Sequence, residues 1–127
     1  MTTPPEPRAA SFLEGLARGV LRCQACTDCG AVQRHPRMAC KRCGSTRLAW
    51  RDTSGRGTVF AASVVARAPS EEFRALVPYT LVLVDLDEGA RLMAHAEAGV
   101  AIGDRVAAGF FEHAGRRLVR FHKTDAA

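Results

Sequence analysis

Two closely spaced pairs of cysteines give this chain the ligands for one tetrahedral metal ion. The pairs lie in Cys26-Thr27-Asp28-Cys29-Gly30 and Cys40-Lys41-Arg42-Cys43-Gly44, with ten residues between the second cysteine of one pair and the first of the other. The glycine that ends each motif allows a tight turn in which backbone N–H groups point at sulfur. The spacing predicts a rubredoxin-like zinc ribbon that binds structural Zn²⁺, although four thiolates also suit iron. The predicted ligands are Cys26, Cys29, Cys40 and Cys43.

Cys23 is a fifth thiol that the matched pairs do not use. Cys23-Gln24-Ala25-Cys26 is also a Cys-x-x-Cys sequence, but Thr27 follows its second cysteine where the other motifs have glycine. Cys23 is either a reactive nucleophile or a structural thiol beside the metal site, and the second interpretation is favoured because the sequence offers no base to pair with it. The odd number of cysteines, their confinement to one span and the lack of a preceding signal peptide favour a cytoplasmic location over a disulfide framework.

Composition and charge narrow the class of protein. The 127 residues are 47% hydrophobic, but no apolar stretch reaches the length of about eighteen residues that a membrane span needs. The net charge is +5, and residues 1–56 hold ten Lys or Arg against four acidic residues, whereas residues 57–127 hold eight against nine. The basic N-terminal half could face nucleic acid, an anionic cofactor such as coenzyme A or an acidic partner protein, or it could be a solvated surface.

The N-terminal residues predict an arm followed by one short helix. Three prolines fall within residues 1–10, so we expect a flexible arm there and no helix before Ser11. Ser11 and Glu14 match a capping box, and Gly19 is a typical stop signal. The intervening apolar residues recur at helical spacing. They are Phe12, Leu13, Leu16 and Ala17.

Short apolar runs predict strands in the rest of the chain, and the predicted fold class is mainly β. Val20–Arg22 and Leu48–Asp52 flank the cysteine pairs and are expected to form the ribbon strands, with Trp50 covering one side. Five further runs are rich in β-forming residues: Thr58–Ala66, Tyr79–Asp87, Arg91–Ala96, Arg105–His113 and Arg116–Lys123. With tight turns at 87–89 and 114–115, they predict a five-stranded OB-fold barrel. The expected organisation is arm 1–10, helix and ribbon 11–53, and barrel 54–127.

No arrangement of catalytic residues stands out. Each histidine is interpreted as a surface or hydrogen-bonded strand residue. The histidines are scattered at His35, His95, His113 and His122. Asp85, Asp87 and Glu88 fit a solvated hairpin better than a carboxylate cluster, and a site closed by four thiolates lacks the open coordination position that catalytic zinc needs. The sequence therefore predicts no catalytic residue in this chain.

The order of motifs along the chain is itself informative. A helix, two Cys-x-x-Cys-Gly pairs and Trp50 are followed by Ser54-Gly55-Arg56-Gly57-Thr58-Val59 and Leu83-Val84-Asp85-Leu86-Asp87-Glu88-Gly89. From about Phe12 to Phe121 this order resembles the zinc-ribbon and OB-fold proteins associated with acyl-CoA enzymes, long catalogued as a domain of unknown function. The resemblance implies a non-catalytic accessory subunit with structural zinc that forms a hetero-oligomer with a thiolase-like enzyme. That partner would act on coenzyme A thioesters by condensation, thiolysis or retro-aldol cleavage in lipid, steroid or aromatic metabolism, and the barrel would stabilise it and help to shape its acyl-CoA channel.

The longest connection in the barrel is the candidate contact with that partner or its acyl-CoA. It runs from Arg67 to Pro78 and is apolar for a loop. The predicted contact residues are Arg67, Phe73, Arg74 and Leu76, with the two arginines near phosphate. The alternative is a loop folded onto its own barrel.

A single-stranded nucleic-acid-binding module is the rival function, because ribbons and OB-folds both occur in such proteins. Binders of this kind present aromatic platforms along a positive groove. The barrel half here is close to neutral in charge, and Tyr79 is its only Tyr. The sequence therefore disfavours nucleic acid, and it predicts no membrane partner.

Overall fold

The chain was analysed as a computed structural model that describes residues 7–34, 37–68 and 70–124. Within these ranges it forms an N-terminal helix, a small sheet and a barrel. The elements in chain order are α1 (Pro7–Ala17), β1 (Arg22–Cys26), β2 (Val32–Gln33), β3 (Leu48–Asp52), β4 (Arg56–Val65), a 3₁₀ helix (Glu71–Leu76), β5 (Tyr79–Leu86), β6 (Arg91–Ala96), β7 (Arg105–His113) and β8 (Arg116–Lys123). None of the described helices is long and apolar enough to cross a membrane.

Helix α1 begins earlier than the sequence predicts. It starts at Pro7, so the expectation of no helix before Ser11 is wrong, and Ser11 lies inside the helix. Proline is compatible with the first turn because an N–H there has no helical partner and its φ is already helical. The predicted stop at Gly19 is confirmed: Gly19 has φ +76° and donates to the carbonyl of Leu16 at 3.0 Å. Residues 1–6 of the predicted arm lie outside the described residues.

The ribbon sheet has the antiparallel order β2-β1-β3. Strand β3 has its predicted bounds and pairs with β1 from Arg22↔Asp52 to Cys26↔Leu48. The expected strand Val20–Arg22 is wrong in position, because β1 begins at Arg22 and runs into the first cysteine pair. Trp50 is half-buried against the core, in agreement with its predicted covering role.

The predicted five-stranded barrel is confirmed. It closes in the order β4-β5-β6-β8-β7, and β6, β7 and β8 have the predicted bounds. All strand pairs are antiparallel except β6 with β8, which pair only at His95↔Arg120 and Ala96↔Phe121. Because only two residue pairs join β6 and β8, the other residues of these two strands are not paired with each other.

Helix α1 lies at that opening and joins the core of the barrel. Its Phe12 and Leu16 are buried and line the gap between β6 and β8. The same core includes Phe121 and Val84, which are 0% exposed, and Cys23 of the ribbon strand β1. Helix, ribbon and barrel therefore share one apolar core, and the ribbon is fixed against the barrel.

Candidate metal centre and flanking surfaces

The two cysteine turns have matching backbone geometry. In the first turn the N–H of Gly30 donates to the carbonyl of Cys26 at 2.9 Å, and in the second the N–H of Gly44 donates to Cys40 at 2.9 Å. The two glycines have φ values of +80° and +78°, which a residue with a Cβ rarely adopts. The sequence thus builds the same tight turn twice, and the sheet holds the turns face to face.

The four predicted sulfur ligands converge. The Sγ atoms of Cys26, Cys29, Cys40 and Cys43 all lie within 4.8 Å of one another. The Sγ atoms of Cys26 and Cys43 are 3.6 Å apart, as are those of Cys29 and Cys40. A tetrahedral zinc ion with bonds of about 2.3 Å separates its sulfur ligands by about 3.8 Å. The cluster therefore fits Zn²⁺ held by these four cysteines, which when bound would cross-link the two turns.

Backbone N–H groups favour the thiolate form that a metal requires. The N–H of Cys29 lowers the pKa of Cys26. The N–H groups of Cys43 and Arg42 lower the pKa of Cys40 to about 6, and the Arg42 nitrogen lies 3.4 Å from the Cys40 sulfur. Because metal binding needs a deprotonated thiol, these donors favour loading at Cys26 and Cys40, whereas burial and the neighbouring thiols raise the pKa of Cys43 to about 12.

Cys23 lies outside this cluster. Its side chain is 1% exposed in the shared core, and burial raises its pKa to about 11. A protonated, inaccessible thiol is a poor nucleophile. The structure thus favours the interpretation of Cys23 as a structural thiol.

Two buried glutamines hold the segment that leads into the second turn. Gln24 of β1 and Gln33 of β2 are 4% and 2% exposed. The Gln24 Oε1 accepts hydrogen bonds from Gln33 Nε2 at 2.9 Å and from the backbone N–H of Arg37 at 2.8 Å. The Gln33 Oε1 accepts from the backbone N–H of Lys41 at 3.3 Å. Sequence reasoning missed this network, whose only signal is an amide side chain on each of two short strands.

The predicted contact loop folds partly onto its own barrel. The Phe73 ring stacks on His113, with centroids 5.6 Å apart and planes at 24°, and also lies near His95 at 5.7 Å. Glu72 fixes the same 3₁₀ helix, because its carbonyl bonds to the His113 ring and its carboxylate accepts from Arg116. Phe73 therefore anchors the loop to the barrel.

The other predicted contact residues do not form one site. Arg74 is 74% exposed and lies 3.6 Å from Glu71. Arg67 is exposed as well. Leu76 is half-buried and lines a cleft of about 270 Å³ that also includes His95 and Arg120. Neither arginine of the loop lines this cleft, so the four residues share an element but not a cavity.

The barrel brings together two histidines that are distant in sequence. The His95 ring lies 4.9 Å from Tyr79 and 5.4 Å from Phe111, centroid to centroid. Burial and the positive charges of Arg120 and His113 lower the pKa of His95. His113 agrees with its interpretation as a hydrogen-bonded strand residue, because its ring bonds to the Glu72 carbonyl, and the fold brings it near His95, since both rings contact Phe73. His35 lies outside the described residues.

The fold and the cysteine cluster define a zinc-ribbon and OB-fold protein. The family model of the rubredoxin-like zinc ribbon domain of ChsH2 matches residues 13–49, and that of the C-terminal OB-fold domain of ChsH2 matches residues 50–111. The chain therefore belongs to the ChsH2-type family that joins these two domains, which confirms the resemblance seen in the sequence.

Relatives of this chain are described as scaffold proteins and enzyme subunits. A "DUF35 domain-containing scaffold protein" of Methanothermobacter thermautotrophicus is 33% identical over 86 residues, which make up 64% of each chain. A "3-oxo-4,17-pregnadiene-20-carboxyl-CoA hydratase alpha subunit" of Mycobacterium tuberculosis is 36% identical over 107 residues, or 81% of this chain and 33% of that protein. The chain thus spans less than two thirds of the length of these curated relatives.

A solved structure is similar over nearly the whole chain. It is described as "Ltp2-ChsH2(DUF35) aldolase", and it superposes with a TM-score of 0.80 at 25% sequence identity. The match covers 96% of this chain and 98% of that one. Helix, ribbon and barrel thus occur there in the same arrangement.

Proposed function

We propose that this chain is a non-catalytic accessory subunit that binds a thiolase-like acyl-CoA enzyme, stabilises it and helps to shape its acyl-CoA channel. The observation that carries the proposal is the near-complete structural match to the DUF35 chain of a structure described as an aldolase. Relatives described as a scaffold protein and as the alpha subunit of a CoA hydratase support it. In this proposal zinc is structural, and the coenzyme A thioester is a ligand shared with the partner.

The loop between β4 and β5 is the proposed contact surface. Phe73 packs on the barrel through His113, which fixes the 3₁₀ helix and leaves Arg74 projecting into solvent. A cation on an ordered backbone loses side-chain entropy but no backbone entropy when it binds an acidic side chain or a phosphate. Arg67, Arg74 and Leu76 would therefore make the contact, and Phe73 would position them.

Co-purification tests the proposal directly. The tagged chain is isolated from its native host, bound proteins are identified by mass spectrometry, and the eluate is assayed for acyl-CoA thiolysis and retro-aldol cleavage. We expect a stoichiometric thiolase-like partner together with activity. Recovery of nucleic acid alone, or of no partner with a zinc-loaded chain, would contradict the proposal and favour the rival nucleic-acid module.

Matched variants then test the contact surface. R67A/R74A removes two exposed cations from the loop, and R18A/R51A removes two exposed cations from elsewhere. The first variant is expected to lose partner affinity by about tenfold or more, because each arginine would lose a charge-assisted hydrogen bond to the partner, and the second by less than about twofold. Equal affinities for both variants and for F73A would remove the loop from the interface.

A further inference from the structure

A basic cleft lies where the ribbon meets the barrel. It encloses about 590 Å³, which is within the range of about 300–1,000 Å³ typical of small-molecule sites. Its cations come from both parts of the molecule: Arg34, Arg37 and Lys41 from the ribbon and Arg91 from β6. The cleft is thus distinct from the four-cysteine cluster and from the loop between β4 and β5.

Most of this positive charge has no counter-ion within the described residues. Arg91 is paired with Asp85, whose carboxylate accepts two of its hydrogen bonds at 2.7 and 3.2 Å. Among the described residues Arg37 and Lys41 have no carboxylate within ion-pair distance, and the Nε of Arg34 is buried without a hydrogen-bond partner. Of the residues that the structure describes, no acidic one lines the cleft. Three cations therefore converge without compensation, which favours an anionic ligand.

The buried environment of Arg34 supports the same conclusion. Its guanidinium lies 3.7 Å from the centroid of the Phe12 ring, and burial lowers its pKa. The Cys23 thiolate would act on this charge, but burial raises the pKa of Cys23 to about 11, so the thiol is protonated at neutral pH. A bound phosphate would supply the missing negative charge.

The ribbon presents its two exposed cations from a fixed backbone. The amide oxygens of the buried Gln24 and Gln33 accept from the backbone N–H groups of Arg37 and Lys41. Backbone order of this kind lowers the entropic cost of binding. The glutamine network thus fixes the backbone that carries Arg37 and Lys41, the two exposed cations of the cleft.

The barrel side of the cleft is apolar. Leu83, Leu92 and Met93 line it, and the Met93 side chain is 65% exposed. An aliphatic wall beside converging cations suits a ligand with an organic part as well as phosphates, such as a nucleoside, more than an inorganic anion.

We propose that this cleft binds an organic anion with two or more phosphate groups, of the nucleotide type that occurs in ADP and in the phosphoadenosine end of coenzyme A. Binding to the isolated chain does not depend on a partner. Only the choice of coenzyme A over other nucleotides rests on the proposed function.

Isothermal titration calorimetry on the zinc-loaded full chain tests this site. The probes are coenzyme A, dephospho-coenzyme A, ADP and inorganic pyrophosphate at low ionic strength. We expect saturable binding of coenzyme A or ADP that is tighter than that of pyrophosphate. Preference for coenzyme A over its dephospho form would identify coenzyme A as the ligand, whereas equal binding of ADP would identify a general nucleotide site. No saturable binding of any organic phosphate would overturn the proposal.

Charge-matched variants separate a site from a merely basic surface. R37A/K41A should weaken binding by about tenfold or more, because each loss removes a charge-assisted contact. R18A/R51A loses the same charge away from the cleft and should bind within about twofold of wild type. Met93→Glu places a carboxylate in the exposed apolar wall and should also weaken binding. Equal loss in the two double variants, or unchanged binding in Met93→Glu, would contradict the site.

Failure of the proposed function would look different. A chain that binds nucleotide but recovers no partner enzyme would retain this site and lose the accessory-subunit proposal. A chain that recovers a partner but binds no organic phosphate would retain the accessory-subunit proposal and lose this site.

Discussion

The ribbon and the barrel are stabilised by different means. Strands β1, β2 and β3 have five, two and five residues, and the buried side chains of this sheet include two glutamines and the metal-site Cys26. The barrel strands have six to ten residues and bury an apolar core around Phe121 and Val84. The ribbon has too little apolar surface to be stabilised by packing alone, and directional contacts stabilise it instead. The ribbon depends on a few specific atoms, whereas the barrel depends on many interchangeable contacts.

Removal of one metal ligand should have the largest effect. Cys40→Ser is expected to abolish zinc binding and unfold the ribbon, because structural zinc contributes about 10–16 kcal/mol in small domains. The measurements are zinc content, Trp50 fluorescence and far-ultraviolet circular dichroism, in which the β signal of the barrel should persist. Cys23→Ala is the control and should retain one zinc per chain. Loss of the whole β signal in Cys40→Ser would show instead that the barrel needs the folded ribbon.

Truncation of the barrel core should have the next largest effect. Phe121 is 0% exposed, and Phe121→Ala should lower the free energy of unfolding by about 3–5 kcal/mol. Urea denaturation measures this loss, and zinc content should be unchanged under native conditions. Phe60, which is 52% exposed, provides the matched control, since Phe60→Ala should cost about 1 kcal/mol or less. Similar losses in the two variants would argue against the assigned core.

Replacement of the buried Gln24 should disorder the backbone segment that its side chain binds. Gln24→Leu removes the acceptor for the Arg37 N–H and for the Gln33 amide, and each unsatisfied buried group costs about 1–3 kcal/mol. Faster hydrogen exchange is expected at residues 37–41 but not in β5. Unchanged exchange at residues 37–41 would show that the metal alone orders this segment.

Two exposed ion pairs on the barrel should have the smallest effect. Arg91 and Arg105 donate to Asp85 and Asp87 and lower the pKa of each carboxyl below its usual value of 3.8. Their stabilisation is present above that value and is lost as pH falls through the lowered pKa, when the carboxylates become protonated. D85N/D87N should therefore flatten the acid limb of a plot of urea midpoint against pH, by a small amount because the pairs are exposed. If the acid limb were unchanged, the loss of stability at low pH would come from groups other than Asp85 and Asp87.

Features encoded by adjacent residues were predictable from the sequence. The four cysteine ligands, the turn at 87–89 and strands β6, β7 and β8 all follow from local spacing and residue type. The start of α1 was not predictable in this way. Proline terminates a helix in its interior but is compatible with its first turn, and the sequence around Pro7 does not distinguish these positions.

Features that depend on docking were not predictable. His95 and His113 meet only because β6, β8 and β7 are neighbours in the barrel. The basic cleft forms only because Arg34, Arg37 and Lys41 of the ribbon lie beside β6. The excess of positive charge in residues 1–56 was compatible with an anionic ligand, an acidic partner or a solvated surface, and no local pattern indicates where those cations converge.

The ribbon begins and ends at almost the same point in space. The Leu21 carbonyl accepts from the Thr53 N–H at 2.8 Å and from its hydroxyl at 2.9 Å, although 32 positions separate the two residues. The C-terminal end of helix α1 and the first residue of strand β4 are therefore joined to neighbouring points of the ribbon. Tethering two segments through a short rigid link raises the effective concentration of one at the other. By ordering the ribbon, a bound metal would thereby keep α1 concentrated at the gap between β6 and β8 that the helix fills.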